Sequence, residues 1–229
     1  MSGQDKTFFA IDFDRCLTKG EAFALLIMEI LDGMGVISYV ELNEAKEFVE
    51  SQGGSFMMLT YLRDRGYLDS ETEEKLAQVF CERAARDRSK YIADDADELF
   101  AYLNSEQIPH AIISYGENSW QELKIKAAGF ESIPHQIVSH PRKSDELRSW
   151  LNDDGRYALP RIFGDRTVEE IVLIDDKAVA FEALPPRVRG YWMRAKDGSL
   201  VPSQRGIVPD SVTTVYDFKS VIENEKRSV

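Results

Sequence analysis

The chain has 229 residues, 43% of them apolar and 30% charged, which is ordinary globular usage and excludes a disordered chain. Twenty-eight Lys and Arg against forty Asp and Glu leave a net charge of −12, which argues against nucleic acid or an anionic membrane as the main partner, since both need a basic face. Cys16 and Cys81 form no CxxC pair, no apolar run approaches the ~20 residues of a membrane span, and the polar start Met1 to Lys6 lacks a signal-peptide core, so reduced thiols and a cytoplasmic setting are expected.

Phe8-Phe9-Ala10-Ile11, running into Asp12, is a short continuous apolar run and reads as a strand buried on both faces, the mark of a parallel sheet. Gly20 to Leu31 carries Phe23, Leu25, Leu26, Ile27, Ile30 and Leu31 at helical spacing, with Gly33 and Gly35 to end it. Glu41 to Glu50 and Phe56 to Arg65 are two further helices, separated by Gly53-Gly54. Ser70-x-x-Glu73 reads as a capping box that opens a helix with Leu76, Val79, Phe80 and Ala84 on one face. Residues 19 to 92 thus form a helical block between the first strand and the next strand–helix unit. Asp97 to Leu103 is a helix with Leu99, Tyr102 and Leu103 on one face, and Ala111-Ile112-Ile113 is a strand ending at Ser114. The helix from Glu117 to Ala128 stops at Gly129, a glycine suited to the position after a helix end. A helix follows Lys143, Asn152 to Gly155 is a loop, and Arg161 to Arg166 carries no assignment. Ile171 to Ile174 is a third buried strand, ending at Asp175-Asp176, and the helix from Ala178 to Leu184 stops at Pro185-Pro186. Gly190 to Met193 and Val212 to Tyr216 are strands around a turn at Lys196 to Ser199, and a last helix begins at Asp217.

Strand–helix alternation predicts an open α/β sheet, and such sheets bind ligands beyond the carboxyl ends of their strands. Those ends carry Asp12, Ser114 and Asp175-Asp176. Asp12 and Asp14, two residues apart on a strand, would start on the same side. Solvated strand-end acids are the simpler account of either acidic pair alone. Both pairs at one sheet edge would instead hold a proton or need a cation between them, and Mg2+ suits carboxylates and phosphate oxygens. In Ser114-Tyr115-Gly116, a hydroxyl and free backbone N–H groups precede a helix, which suits phosphate, although N-capping by Ser114 accounts for this stretch taken alone. Lys143 is placed to bring an ammonium over the same site, with Arg142 and Lys124 as the other choices. His110, His135 and His140 match no Ser–His–Asp order or HExxH spacing, and no Gly-rich phosphate loop occurs.

Together and in this order, Ile11-Asp12-Phe13-Asp14-Arg15-Cys16-Leu17-Thr18, Ile112-Ile113-Ser114-Tyr115-Gly116, Lys143 and Val172-Leu173-Ile174-Asp175-Asp176 resemble the four motifs of the haloacid dehalogenase superfamily of phosphohydrolases. Arg15 and Cys16 depart from the pattern; Cys16 is close to Val in size and is expected to pack. The resemblance spans the chain. It implies an α/β fold with a Rossmannoid three-layer, parallel-sheet core over residues 1–18 and 93–229. The insertion at 19–92 falls where that family places a helical cap of the C1 type, with hinges near Thr18–Gly20 and Ile92–Asp94.

The resemblance also implies roles. Asp12 would be the nucleophile and Asp14 the general acid and base. Mg2+ would be held by Asp12, the Asp14 main-chain carbonyl, Asp176 and, directly or through water, Asp175. Ser114, Tyr115, Gly116 and Lys143 would bind the phosphoryl group. The expected activity is a Mg2+-dependent phosphatase of a small phosphorylated metabolite, working as a monomer or homodimer. A phosphomutase is the enzymatic alternative. A non-catalytic ligand-binding member is the other, and the intact Asp12/Asp14 pair counts against it. The substrate is not named by the sequence: Gly53-Gly54-Ser55 is a candidate specificity loop, and Arg63, Arg65 and Arg83 are candidates to meet an anionic substituent.

Overall fold

Three apolar runs become the centre of one sheet because neither of their faces meets water. The computed structural model describes residues 6–52, 56–195 and 206–228. In chain order its elements are β1 (Thr7–Ile11), α1 (Ala22–Gly33), α2 (Tyr39–Ser51), α3 (Met58–Asp64), α4 (Ser70–Arg86), α5 (Ala96–Ser105), β2 (His110–Tyr115), α6 (Asn118–Ala127) and β3 (His135–Val138). Then follow α7 (Lys143–Ser149), β4 (Tyr157–Ala158), β5 (Thr167–Val168), β6 (Glu170–Asp175), β7 (Val188–Met193), β8 (Val212–Val215) and α8 (Phe218–Ser228). Phe8 to Ile11, Ala111 to Ile113 and Ile171 to Ile174 are all fully buried. The six-stranded parallel sheet runs in the order β3-β2-β1-β6-β7-β8. The chain is therefore an α/β protein of the Rossmann-like kind, as expected.

Register decides which side chains meet. Ile11 lies beside Ile112 on one side and Ile174 on the other. Neighbouring strands lie about 4.8 Å apart, so Asp12 and Asp175, one residue past this row, and Ser114, two past it, reach the same sheet edge. The chain reverses its direction across the sheet at β1, and that edge is where open α/β sheets hold ligands.

The chain groups into two compact units, residues 1–18, 93–114 and 133–229, and residues 19–92 with 115–132. In the first, Phe8, Trp150 and Phe163 form an aromatic cluster with ring centroids 5.5–6.1 Å apart. It seats the stretch from 150 to 168, where β4 and β5 pair antiparallel around a 3-10 turn at Arg161–Phe163. In the second, Phe23 packs on Phe80 and Phe80 on Trp120, with centroids 5.6 and 5.3 Å apart, tying α1, α4 and α6 together. The Glu117 carboxylate accepts hydrogen bonds from the Leu59 and Thr60 amides (3.0 and 2.7 Å) and the Thr60 hydroxyl (2.8 Å), capping α3 from a distant part of the chain.

Local endings follow capping chemistry more closely than apolar spacing. Gly129, at φ +76°, follows the α6 C-cap Ala128; Phe130 N–H bonds to Ile125 C=O and Gly129 N–H to Lys126 C=O, a Schellman ending as expected. Two expectations change. The α4 cap is Asp69, whose carboxylate accepts from Thr72 N–H (2.8 Å), and not Ser70; Glu73 is drawn away to Arg63 instead of closing a box. The expected helix from Ala178 to Leu184 is one 3-10 turn, Ala178–Phe181, because Glu182 is extended, Ala183 sits at φ +50° and Pro185 disfavours a helical Leu184. The expected loop at Gly53-Gly54-Ser55 and the turn at Lys196 to Ser199 lie outside the described residues.

Candidate active site

Asp12 follows the last residue of β1, and its N–H bonds to Ile174 C=O (2.8 Å), so β6 fixes its backbone at the sheet edge. The strand stops there. Phe13–Leu17 is a tight helical turn in which Arg15 adopts a left-handed conformation (φ +61°) and Thr18 Oγ1 accepts from Arg15 N–H at 3.1 Å. Asp14 follows in extended backbone (φ −70°, ψ 130°) beyond the end of β1, where strand alternation no longer sets the side a residue faces. Asp14 sits half-buried in the turn, outside the carboxylate cluster.

That cluster is Asp12, Asp175 and Asp176, all buried, with one carboxylate oxygen of each within 4.8 Å of the others. Lys143 is buried among them. It opens α7, and its ammonium donates to Asp12 Oδ1 and to Asp175 Oδ2 (2.5 Å). The neighbouring Arg142 instead pairs with Glu182 (2.8 Å), and Lys124 packs its ammonium 5.3 Å from the centre of the Trp120 ring. Of the three cations considered, Lys143 is the one these carboxylates hold.

Burial pushes the Asp12 carboxyl up to about 6, Lys143 pulls it down, and Asp175 adds to the rise. Asp176 goes further, to about 8, because burial and the charges of Asp12 and Asp175 outweigh the help of Lys177 and Arg15. Burial pulls the Lys143 ammonium down, but Asp12 and Asp175 more than offset this and keep it charged. Even with Lys143, Lys177 and Arg15 nearby, burial keeps the Asp12 and Asp176 carboxyls above their ordinary range, so a proton or a further cation would ease the site. Buried, all-oxygen donors of excess negative charge fit a hard divalent ion such as Mg2+. Burial also raises the Cys16 thiol well above its ordinary range, with Asp12, Asp176 and Asp175 adding to it. Cys16 is thus a buried, packed thiol whose charged form is disfavoured.

Ser114 lies in β2 and is fully buried, yet its hydroxyl has no hydrogen-bond partner among the described residues. A buried hydroxyl left unmade is costly, which marks a place for a ligand oxygen. Ser114 is a strand residue and not a helix cap; the α6 cap position is Glu117. Tyr115 ends the strand and its carbonyl accepts from the Gln121 amide (2.9 Å). Gly116, at φ +149°, lies where a Cβ would stand 2.5 Å from Gln121 Nε2, so only glycine fits. His110 and His135 each bond a backbone carbonyl two residues away.

Sequence reasoning missed two residues. Lys177, directly after the acidic pair, offsets the charges of Asp12 and Asp176, and its N–H donates to Asp175 Oδ1 (2.8 Å). Trp192 donates its indole N–H to the Asp176 carbonyl (2.8 Å) and holds that backbone in place. The run Asp175-Asp176-Lys177 was a readable signal for the first. The second depends on pairing of β7 with β6, which no local pattern carries.

No family model matches the chain, and no curated protein matches it in sequence. Solved structures do match in fold. A protein of Burkholderia xenovorans described as a haloacid dehalogenase-like hydrolase superposes with a TM-score of 0.62 at 17% identity, over 97% of each chain. A HAD phosphatase of Thermococcus onnurineus gives 0.53 at 17%, covering 96% of this chain and 97% of its own. The L-2-haloacid dehalogenase of Xanthobacter autotrophicus gives 0.51 at 13%, covering 98% and 99%. The chain has the fold of the haloacid dehalogenase-like hydrolases. That fold carries both phosphatases and dehalogenases, so the site has to decide between chemistries.

Among the described residues, no helix is long and apolar enough to cross a membrane.

Proposed function

We propose that this protein is a Mg2+-dependent phosphatase that hydrolyses a small phosphorylated metabolite through an aspartyl-phosphate on Asp12. The observation that carries the reading is the buried set of three carboxylates around Lys143, at the edge that also holds the unpartnered Ser114 hydroxyl. Three carboxylates exceed what displacement of a halide by one aspartate needs. They suit a reaction in which a carboxylate must approach a phosphate dianion.

Asp12, Asp175, Asp176 and the Asp14 main-chain carbonyl would hold Mg2+, which when bound supplies positive charge against that repulsion. Lys143 adds a fixed ammonium, and Ser114 Oγ–H with the N–H groups of the Tyr115–Gly116 turn donates to the phosphoryl oxygens. A carboxylate oxygen of Asp12 attacks phosphorus as the bond to the leaving oxygen breaks, and Asp14 delivers a proton to that oxygen. Asp14, now ionised, takes a proton from the water that cleaves the acyl-phosphate, releasing inorganic phosphate and restoring Asp12.

The test is release of phosphate from p-nitrophenyl phosphate and a panel of phosphometabolites, with Mg2+ and with EDTA, run beside release of chloride from 2-chloropropionate. Mg2+-dependent phosphate release that falls roughly a thousandfold or more in Asp12→Asn supports the reading. Full activity in EDTA, or chloride release without phosphate release, overturns it. Analysis of the product separates hydrolysis from transfer of the phosphoryl group to a sugar.

A further inference from the structure

The carboxyl end of β7 carries a cation that the chemistry above does not use. Asp175 pairs with Trp192 in register, so Arg194, two residues on, lies just past the same sheet edge. Its backbone is fixed there by a hydrogen bond from Arg194 N–H to Val215 C=O (2.8 Å). Its guanidinium lies over the Trp192 ring, 4.4 Å from the centroid. That same ring donates its N–H to the Asp176 carbonyl, so the guanidinium is one stacked ring away from a candidate metal ligand.

Stacking uses the face of a guanidinium and leaves its five N–H donors pointing outward in the plane. The Nε of Arg194 is buried and has no hydrogen-bond partner, and the side chain pairs with no carboxylate among the described residues. Arg156 Nε is likewise buried without a partner among the described residues, so what sets Arg194 apart is its place at the end of β7. Arg63, Arg142 and Arg189 all hold glutamates. A half-buried arginine, rigidly stacked and unpaired beside an active site, is preorganised for an anion that arrives with the substrate.

We propose that Arg194 on Trp192 is the subsite for a carboxylate carried by the same small molecule as the phosphoryl group, so that the substrate is a phosphorylated carboxylic acid. This rests on the phosphatase reading. A carboxylate matches the planar fork and brings one negative charge, which one guanidinium balances. A second phosphate would bring about two charges next to a site already rich in carboxylates.

Two esters of one skeleton test this: 3-phosphoglycerate, which carries a carboxylate, and glycerol 3-phosphate, which has a hydroxymethyl group in its place. The wild-type protein should turn over the first with a KM roughly tenfold or more lower, the size of a charge-assisted pair, and Arg194→Gln should erase that preference while Arg194→Lys restores part of it. The same comparison by thermal shift in Asp12→Asn with Mg2+ needs no turnover. There, 3-phosphoglycerate should raise Tm more than glycerol 3-phosphate, and only when Arg194 is present. Equal KM values and equal shifts for the two esters, or a preference that survives Arg194→Gln, overturn the subsite. If neither ester is hydrolysed but the Arg194-dependent shift remains, the phosphatase reading fails and the carboxylate subsite stands.

Discussion

Replacing Asp176 by Asn should stabilise the protein without metal and destabilise it with metal. Asp176 is fully buried, and its carboxyl is pushed up to about 8, from an ordinary 3.8, by burial and by Asp12 and Asp175. Asp12 is pushed up to about 6 by burial, against the pull of Lys143. Both folded values lie above the unfolded one, so the folded protein keeps protons that the unfolded chain releases. Metal-free stability should therefore fall as pH rises from 3.8 to about 8 and level off above it. Moving the Asp176 carboxyl from 3.8 to about 8 caps its share at about 6 kcal/mol, and entry of water with side-chain relaxation leaves about half of that. Asn has the shape of Asp and no charge, so Asp176→Asn should raise Tm in EDTA at pH 8 by roughly 6–12 °C. With saturating Mg2+ the order should reverse, because the wild type gains binding free energy that the variant has lost a ligand to collect. Thermal unfolding by circular dichroism, with EDTA and with Mg2+ across pH 4 to 9, reads both signs. An Asp176→Asn protein no more stable than wild type in EDTA at pH 8 would refute the charge argument.

Ser114→Ala removes a hydroxyl that has no partner among the described residues, so Tm should stay within about 2 °C of wild type while phosphatase activity falls roughly tenfold or more; a large loss of stability with activity intact would mean that the hydroxyl serves the fold. Lys143→Ala strips the cation from between Asp12 and Asp175 and should cost about 3–5 kcal/mol by urea unfolding at pH 8 in EDTA; a cost under about 1 kcal/mol would show that the carboxylates do not depend on it. Glu117→Ala should cost about 1–3 kcal/mol by the same measurement, because three donors around the start of α3 lose their acceptor. Glu117→Gln should recover part of this, since Leu59 and Thr60 bond to different carboxylate oxygens and an amide offers only one acceptor oxygen.

The sheet was legible in the sequence because its central strands are buried on both faces. Phe8 to Ile11 and Ile171 to Ile174 have no polar member, as strands inside a parallel sheet do, and each run is too short for a buried helix. Once those strands pair in register, Asp12 and Asp175 must meet, so the acidic edge follows from the same runs. The turn after Asp12 was not legible. Alternation holds only within a regular strand, and β1 stops at Ile11, with the turn Phe13–Leu17 beginning two residues later. Capping failed by one residue at Asp69 for a related reason. Asp69 and Ser70 are both good caps, and what decides between them is where Glu73 goes, to an arginine ten positions back.

Charge partners obey the same division. Whether Lys143, Arg142 or Lys124 serves the carboxylates depends on how a helix start lies across two strands more than one hundred residues apart in sequence, which no local spacing contains. Lys177 is adjacent to its partners and could have been read; Trp192 and Arg194 act through the pairing of β7 with β6. Apolar patterning specifies the scaffold because burial is repeated along every strand. The polar site is specified once, by single contacts across the sheet. Its residues are therefore those whose local settings look least economical: a buried serine and a ring-stacked arginine Nε that have no hydrogen-bond partner among the described residues, and a carboxylate at about 8. Each carries a cost that folding alone does not repay, and a bound phosphorylated acid with its cation would satisfy all three at once.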